Sequence, residues 1–399
     1  MQLFKGVRVI ELAQYVMVPA ASTMLADLGA EVIKVETPGV GDPYRSVVVD
    51  RRSTAGPNFS LEQNNRGKKS VCIDLKNADG HKLLCSLVES ADVFMTSLRP
   101  AAIRKLGLTV EDLRAHNPKL IYARANGLGF AGPEAGKAGF DASSFWARGG
   151  FGHILSQEGS YTRQPRAVGD HASAVALAFG VAGALFKRAS TGEPSLVETS
   201  LLSMAAWMLS NDMVAAQDPD YPPNVLQRAV EQNPLVGTYR TRDGRWIQLV
   251  FLDSGRFWPG LCATLELDAL IDDPRFHDAA ARMANGPLLM GIFEGAFGSR
   301  DWEQWRPRFE AFDAPWELVQ TLNDLYRDPQ TLANGMIFEI DTHDGYPVKL
   351  VSAPLAVDGR AAHADTPAPT CGEHSSEIFA SLGLDAGQIE SYRTAGVIG

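Results

Sequence analysis

Cysteine is scarce and scattered: Cys72, Cys85, Cys262 and Cys371 are the four in 399 residues, and no two form a C-x-x-C pair. That spacing offers neither a disulfide framework nor a zinc site; it fits a reducing compartment, with the four thiols read as small buried hydrophobes. None of the eight histidines stands in an H-x-x-x-H or H-E-x-x-H pair, so no metal is expected. Positive charge is outnumbered, 37 Lys and Arg against 47 Asp and Glu for a net charge of −10, and no basic run is interleaved with aromatics. Nucleic acid is therefore not an expected partner. The longest apolar run, Ala174 to Phe186, is shorter than the roughly 20 residues of a membrane span. The opening Met1-Gln2-Leu3-Phe4-Lys5-Gly6 lacks a charged-then-apolar signal pattern. The expectation is a soluble, cytoplasmic protein without a membrane partner. A G-x-S-x-G nucleophile elbow is missing too.

What is present is an alternation of short apolar strands and amphipathic helices. Strands are expected at Val7–Leu12, Glu31–Glu36, Ser70–Leu75, Asp92–Ser97, Leu120–Ala125 and Leu196–Glu198. Helices are expected at Pro19–Leu28, Gly80–Ala91, Val110–His116, from Asp170 to Ala189, and at Leu201–Ala215. This order predicts an α/β fold with a doubly wound parallel sheet. Pro38 to Lys69, rich in Gly, Asn and Arg, reads as a long functional loop. A proline-dense stretch from Gln217 to Pro223 marks a linker. The division expected is 1–216 for the first part of a large domain, 217–235 for the linker, 236–331 for a smaller α+β domain, and 332–399 for the return to the large one. Within the small domain Tyr239–Val250 reads as a hairpin turning at Asp243-Gly244. Helices follow near Phe257–Leu265, Leu288–Phe297, Trp302–Phe309 and Trp316–Tyr326. A strand pair, Met336–Ile340 and Val348–Val351, and helices Ser375–Leu382 and Gly387–Ala395 close the chain.

Two motifs invite chemistry. Gly127-Leu128-Gly129-Phe130-Ala131-Gly132 spells G-x-G-x-x-G after a strand, but Pro133-Glu134-Ala135-Gly136 continues the loop where a dinucleotide site needs a helix N-terminus. It reads instead as a glycine-rich loop of the kind that lines active sites. Asp170, in Val168-Gly169-Asp170-His171, stands at the mouth of the most apolar segment. An aspartate there is a favoured N-cap, and a helix N-terminus also favours an ionised, nucleophilic carboxylate. Local sequence does not separate the two roles.

Five segments in order carry a resemblance. They are Leu28-Gly29-Ala30-Glu31-Val32-Ile33-Lys34-Val35-Glu36 with Gly41-Asp42-Pro43; Asn65-Arg66-Gly67-Lys68-Lys69-Ser70 leading to Asp74-Leu75-Lys76; Arg99-Pro100 with Leu106-Gly107-Leu108; Val168-Gly169-Asp170; and Gly372-Glu373-His374. Together they resemble the class III CoA-transferases, relatives of formyl-CoA transferase and carnitine CoA-transferase that also include α-methylacyl-CoA racemases. The resemblance spans nearly the whole chain. It implies a large domain built from both ends of the chain, an interlocked homodimer, and coenzyme A as a substrate carrier with no tightly bound cofactor.

By that resemblance Asp170 is the catalytic nucleophile, passing CoA from an acyl-CoA to a free carboxylic acid through an anhydride and an aspartyl-CoA thioester. Thr37, Lys76, Ser97, Leu98, Arg99, Lys105 and Leu106 match the family's CoA contacts. Tyr15, Val16, Met17, Phe140 and Asp141 fall in the acyl pocket. Phe140 stands where the racemase branch carries a histidine, which disfavours racemisation, although His171 or His153 could serve as a base. Val16 replaces the glutamine of the formyl-CoA branch, and Phe251-Leu252-Asp253-Ser254-Gly255 replaces its glycine-rich flap. These departures point to a larger, more apolar acyl group. The alternatives are an acyl-CoA racemase or isomerase, and a non-catalytic CoA-binding protein in which Asp170 only caps a helix.

Overall fold

The structure, a computed structural model, describes residues 2–47, 56–157, 159–221 and 233–399. It divides into two compact units, residues 1–219 with 329–399, and residues 220–328. The centre of the linker expected at 217–235 lies outside the described residues.

The larger unit is built on six strands: β1 Arg8–Leu12, β2 Glu31–Glu36, β3 Lys68–Cys72, β4 Val93–Thr96, β5 Ile121–Asn126 and β6 Leu196–Ser200. All pair in parallel, in the order β3-β2-β1-β4-β5-β6. Parallel strands are buried on both faces, and the side chains alternate between two cores accordingly. Val9, Val32, Val93, Met95, Ile121 and Ala123 enter one core; Ile10, Ile33, Phe94 and Tyr122 enter the other. The first core is covered by α1 (Met17–Asp27), whose eleven residues are all buried, and by a long helix, Val168–Thr191. The second is covered by Ala78–Glu89, Val110–His116 and the two C-terminal helices Ser375–Ser381 and Ala386–Thr394. The last residues thus complete a layer that the first 120 begin, and an Ile73–Ile398 bridge joins them at the sheet edge.

The segment Pro38–Lys69 is more ordered than a loop. Asp42 caps a 3₁₀ turn at Pro43–Ser46, Asn58 caps a helix at Phe59–Asn65, and residues 48–55 lie outside the description. Leu201–Ala215 breaks at Leu209 into two helices, Leu201–Met208 and Ser210–Ala215. Val168–Thr191 begins two residues before Asp170 and ends on Gly192 at φ +78°, a left-handed stop that glycine adopts without strain. At 24 residues it is long and apolar enough, by length and composition, to cross a membrane, which the shorter apolar run did not suggest. One of its faces, Gly169, Ser173, Ala174, Leu177, Val181 and Ala184, is nonetheless buried in the unit. The opposite face leaves Phe179 and Phe186 more than three-quarters exposed, at 78% and 77%.

The smaller unit has an antiparallel sheet, Thr238–Arg240, Trp246–Leu249 and Trp316–Leu318, over an aromatic core of Tyr239, Trp258, Phe293, Phe297, Trp305 and Phe309. Its hairpin turns at Gly244 with φ +85°. The helix expected over Trp316–Tyr326 is absent. Trp316–Leu318 instead pairs with Trp246–Leu249, Trp316 packs on Trp302 and Phe309, and only Leu322–Leu325 is helical. Tertiary pairing overrode an ambiguous apolar spacing.

Candidate active site

In a sheet of this order the chain leaves β1 and β4 in opposite directions, which opens a crevice beyond their C-terminal ends. The two strand ends are tied together. The Thr96 hydroxyl donates to the Leu12 carbonyl at 2.8 Å, and the Gln14 amide donates to Ser97 Oγ at 3.2 Å. A cavity of about 390 Å³ lies there, walled by Gln14, Tyr15, Val16, Met17, Ser97, Leu98, Arg99, Lys137, Phe140, Asp170 and Leu201 among others. A second cavity of about 210 Å³ is lined by Thr37, Asp42, Asp74, Lys76, Leu98 and Leu106. Gln14 and Leu98 line both.

The crevice therefore gathers Asp170, Tyr15, Val16, Met17 and Phe140 with Ser97, Leu98 and Arg99, and next to them Thr37, Lys76 and Leu106. It leaves out Lys105, which is exposed at the end of Pro100–Lys105 and lines neither cavity. Asp141 sits behind the wall and is 6% exposed. The glycine loop also contributes Gly127 and Lys137–Gly139, and it is held by Asn126, whose side chain accepts from the amides of Leu128 and Gly129.

Asp170 is not the N-cap. Ala167, in a left-handed conformation at φ 55°, holds that place without a side-chain bond, and Asp170 lies in the first turn, where it lines the cavity. Nor does the helix end keep it at an ordinary carboxylate value. Burial, with a contribution from the neighbouring Asp141, pushes it up to about 7. Asp141 occupies the N-cap position of a π-helical turn at Ala142–Ala147 but does not cap it. Its carboxylate faces the Gly169 and Asp170 amides and the Gln164 side chain instead. Neither oxygen completes a hydrogen bond of normal geometry, and burial raises its pKa. Gly169 makes this approach possible, because a Cβ there would run into the Asp141 carboxylate and the Phe145 ring.

Beneath the crevice lies a buried ionic cluster that sequence reading passed over. Lys34 Nζ contacts Glu11 Oε1 at 2.7 Å and Asp42 Oδ2 at 2.9 Å, and Lys68 Nζ contacts Glu11 Oε2 at 2.7 Å, all with side chains excluded from solvent. Lys68 also donates to the carbonyls of Pro19 and Asn64. Burial alone would raise the Glu11 pKa, but the two ammonium groups outweigh it and hold the carboxyl at about 2. Asp42 passes this rigidity to the site: its Oδ1 accepts from the amides of Tyr44 at 2.9 Å and Tyr15 at 3.2 Å. Tyr15 is thereby held at φ +65°, a conformation unusual for a bulky side chain. Its ring meets Phe140 edge-on at 5.3 Å and Tyr44 at 6.2 Å. The signal available in the sequence was three charges set inside apolar strands and at a strand entry: Glu11, Lys34 and Lys68.

His171 places Nε2 3.0 Å from Asn64 Oδ1, so that nitrogen is engaged away from the cavity. His374 stands at the start of Ser375–Ser381, where its Nδ1 accepts from the Ser70 amide at 3.2 Å. Cys371 is exposed, against the expectation that all four cysteines are buried.

The family model described as CoA-transferase family III matches residues 4–375. (R)-2-hydroxy-4-methylpentanoate CoA-transferase of Clostridioides difficile is 32% identical over 99% of both chains. Cinnamoyl-CoA:phenyllactate CoA-transferase of Clostridium sporogenes is 32% identical over 97% of this chain and 95% of its own. Among solved structures, Rv3272 from Mycobacterium tuberculosis superposes with a TM-score of 0.81 at 29% identity, covering 94% of this chain and 98% of that one.

Proposed function

The chain belongs to CoA-transferase family III and is an enzyme of the CoA-transferase type, and from that premise we propose that Asp170 carries CoA between a bulky apolar acyl-CoA and a free carboxylic acid. The observation that carries this reading is the position of Asp170: a carboxylate in the first turn of a long helix that opens onto the switch-point cavity.

In the proposed cycle an Asp170 oxygen attacks the thioester carbonyl of the donor, and CoA leaves as thiolate, giving a mixed anhydride. The thiolate then attacks the aspartyl carbonyl, releasing the donor acid and leaving an aspartyl-CoA thioester. The acceptor carboxylate attacks that thioester to form a second anhydride and free the thiolate. Attack of the thiolate on the acceptor's carbonyl yields the new acyl-CoA and regenerates Asp170. Each step replaces one activated acyl bond by another, so water must be kept out. The walls of Tyr15, Val16, Met17, Leu98 and Phe140 suit that need.

The CoA moiety is proposed to run from the larger cavity into the smaller one, past Leu98. Arg99 and Lys76 supply positive charge for the diphosphate, and Leu98 and Leu106 supply apolar faces for adenine. The aromatic pair Tyr15–Phe140 favours branched or aryl acids over short dicarboxylates. The two relatives named for 4-methylpentanoate and phenyllactate chemistry lend support. A homodimer is proposed as well, its interface covering the exposed apolar face of Val168–Thr191 and the exposed Trp207.

The test is a panel of acyl-CoA donors and carboxylic acids read by product mass, with hydroxylamine trapping during turnover. Expected are a hydroxamate on Asp170, loss of transfer in Asp170→Ala, and faster turnover of branched or aryl acids. An unmodified Asp170 under turnover sinks the covalent route. Deuterium uptake at the α-carbon without an acceptor acid would show an isomerase instead.

A further inference from the structure

The C-terminal segment reaches β3 through a set of short polar contacts. The Gly372 amide donates to Ser70 Oγ at 2.9 Å, the His374 amide to the Ser70 carbonyl at 2.9 Å, and Ser375 Oγ accepts from the Cys72 amide at 3.1 Å. At the centre of this seam Cys72 Sγ lies 3.1 Å from Cys371 Sγ, across 299 residues of sequence. Cys72 is 2% exposed, whereas Cys371 is open to solvent.

The backbone around the pair is shaped to let the sulfurs meet. Gly372, at φ +74°, has no Cβ; one built there would stand 3.0 Å from Cys72 Sγ. Gly41, at φ +70°, likewise leaves room for Cys371 Sγ, which would lie 3.1 Å from its Cβ. Arg45 pins the approach by donating to the Pro369 carbonyl at 3.0 Å while pairing with Glu36 at 2.6 Å. Hydrogen bonding from Cys72, helped by the Arg45 charge, holds the Cys371 thiol below its ordinary value, and Cys72 is raised in return. The exposed thiol is thus the one that more readily becomes a thiolate.

We propose that Cys72 and Cys371 form a reversible intrachain disulfide that locks the C-terminal segment onto the end of β3. The oxidant is a hydroperoxide. The Cys371 thiolate attacks the outer peroxide oxygen, breaking the O–O bond and giving a sulfenic acid and an alcohol or water after proton uptake. The Cys72 thiol then attacks the sulfenic sulfur, and water leaves as the S–S bond forms. In sum, two thiols lose two hydrogens and one hydroperoxide is reduced. Closing the bond requires the sulfurs to move only about 1 Å, to the usual separation of about 2.05 Å. Cys85 and Cys262, buried and without a sulfur partner among the described residues, stay reduced.

The experiment treats the full-length protein with one equivalent of hydrogen peroxide, quenches it, and alkylates it under denaturing conditions before peptide mass mapping. Expected are a loss of about 2 Da, a linked Cys72–Cys371 peptide pair, full alkylation of Cys85 and Cys262, and return to four free thiols with dithiothreitol. The oxidised protein is expected to melt at a higher temperature than the reduced protein. Cys371→Ser, at an exposed position, should abolish both the mass change and the melting shift. Cys72→Ser, if it folds, should leave a sulfenic acid on Cys371 that dimedone traps. Over-oxidation of Cys371 while Cys72 still alkylates, a disulfide between two chains, or no reaction at Cys371 would each overturn the proposal. None of these readouts depends on which acid accepts CoA.

Discussion

Asp170→Asn separates the chemical from the structural consequences of burying a carboxylate. With its pKa pushed up to about 7, the wild-type carboxylate is about 1% ionised at pH 5 and almost fully ionised at pH 9. If ionised Asp170 is the nucleophile, kcat/KM falls about 100-fold between pH 9 and pH 5, along a single acid limb centred near 7. A carboxylate at the ordinary 3.8 would lose almost nothing over that range. The same shift acts on stability. The group's pKa is higher folded than unfolded, so its favourable contribution is complete below about pH 4 and is lost as the pH rises through 7. A shift from 3.8 to about 7 corresponds to about 4 kcal/mol. Asp170→Asn should therefore be inactive, yet melt about 5 °C higher than wild type at pH 8 and at the same temperature at pH 4. The assays are a pH series of initial rates, with product acyl-CoA quantified chromatographically, and thermal melts at both pH values. An acid limb below pH 5, together with no stabilisation of the variant at pH 8, would refute the argument that burial controls this carboxylate.

Three further outcomes follow from the same geometry. Asp141→Asn removes the like charge beside Asp170, so the acid limb of the rate profile should move to lower pH while burial keeps it above the ordinary carboxylate value. Gly169→Ala puts a Cβ against Phe145 and the Asp141 carboxylate; a loss of about 1–3 kcal/mol in chemical denaturation and at least a tenfold drop in kcat are expected. Glu11→Gln leaves Lys34 and Lys68 buried with one carboxylate fewer and should cost about 3–5 kcal/mol at pH 7. Because the Glu11 pKa is lowered to about 2 in the folded chain, that deficit should persist down to the unfolded value near 4.5 and shrink only as the pH falls toward 2 in denaturant titrations.

Much of the framework was readable without coordinates, for a local reason. Strand runs such as Val93–Thr96 and helices such as Ala78–Glu89 announce themselves by spacing, and their order implies a parallel sheet with helices on both faces. Where spacing was ambiguous, as at Trp316–Leu318, only the pairing with Trp246–Leu249 decided the element. The candidate site was legible in part. Asp170 stood out beside an apolar helix, but its place in the first turn depends on Ala167 taking the left-handed cap position.

By itself the sequence determined the alternation of elements, the family resemblance and the identity of the carboxylate at the mouth of the long helix, because these rest on residues close together in the chain. Tertiary structure alone decided that carboxylate's ionisation, since Asp141 and the burial that raises it come from elsewhere in the fold. It likewise decided the posture of Tyr15, held by an Asp42 that is fixed by Lys34 and, through it, by Glu11. It also brought Cys72 to Cys371. Electrostatic energy depends on distance and on exclusion of water, and both are set only when the chain has closed on itself.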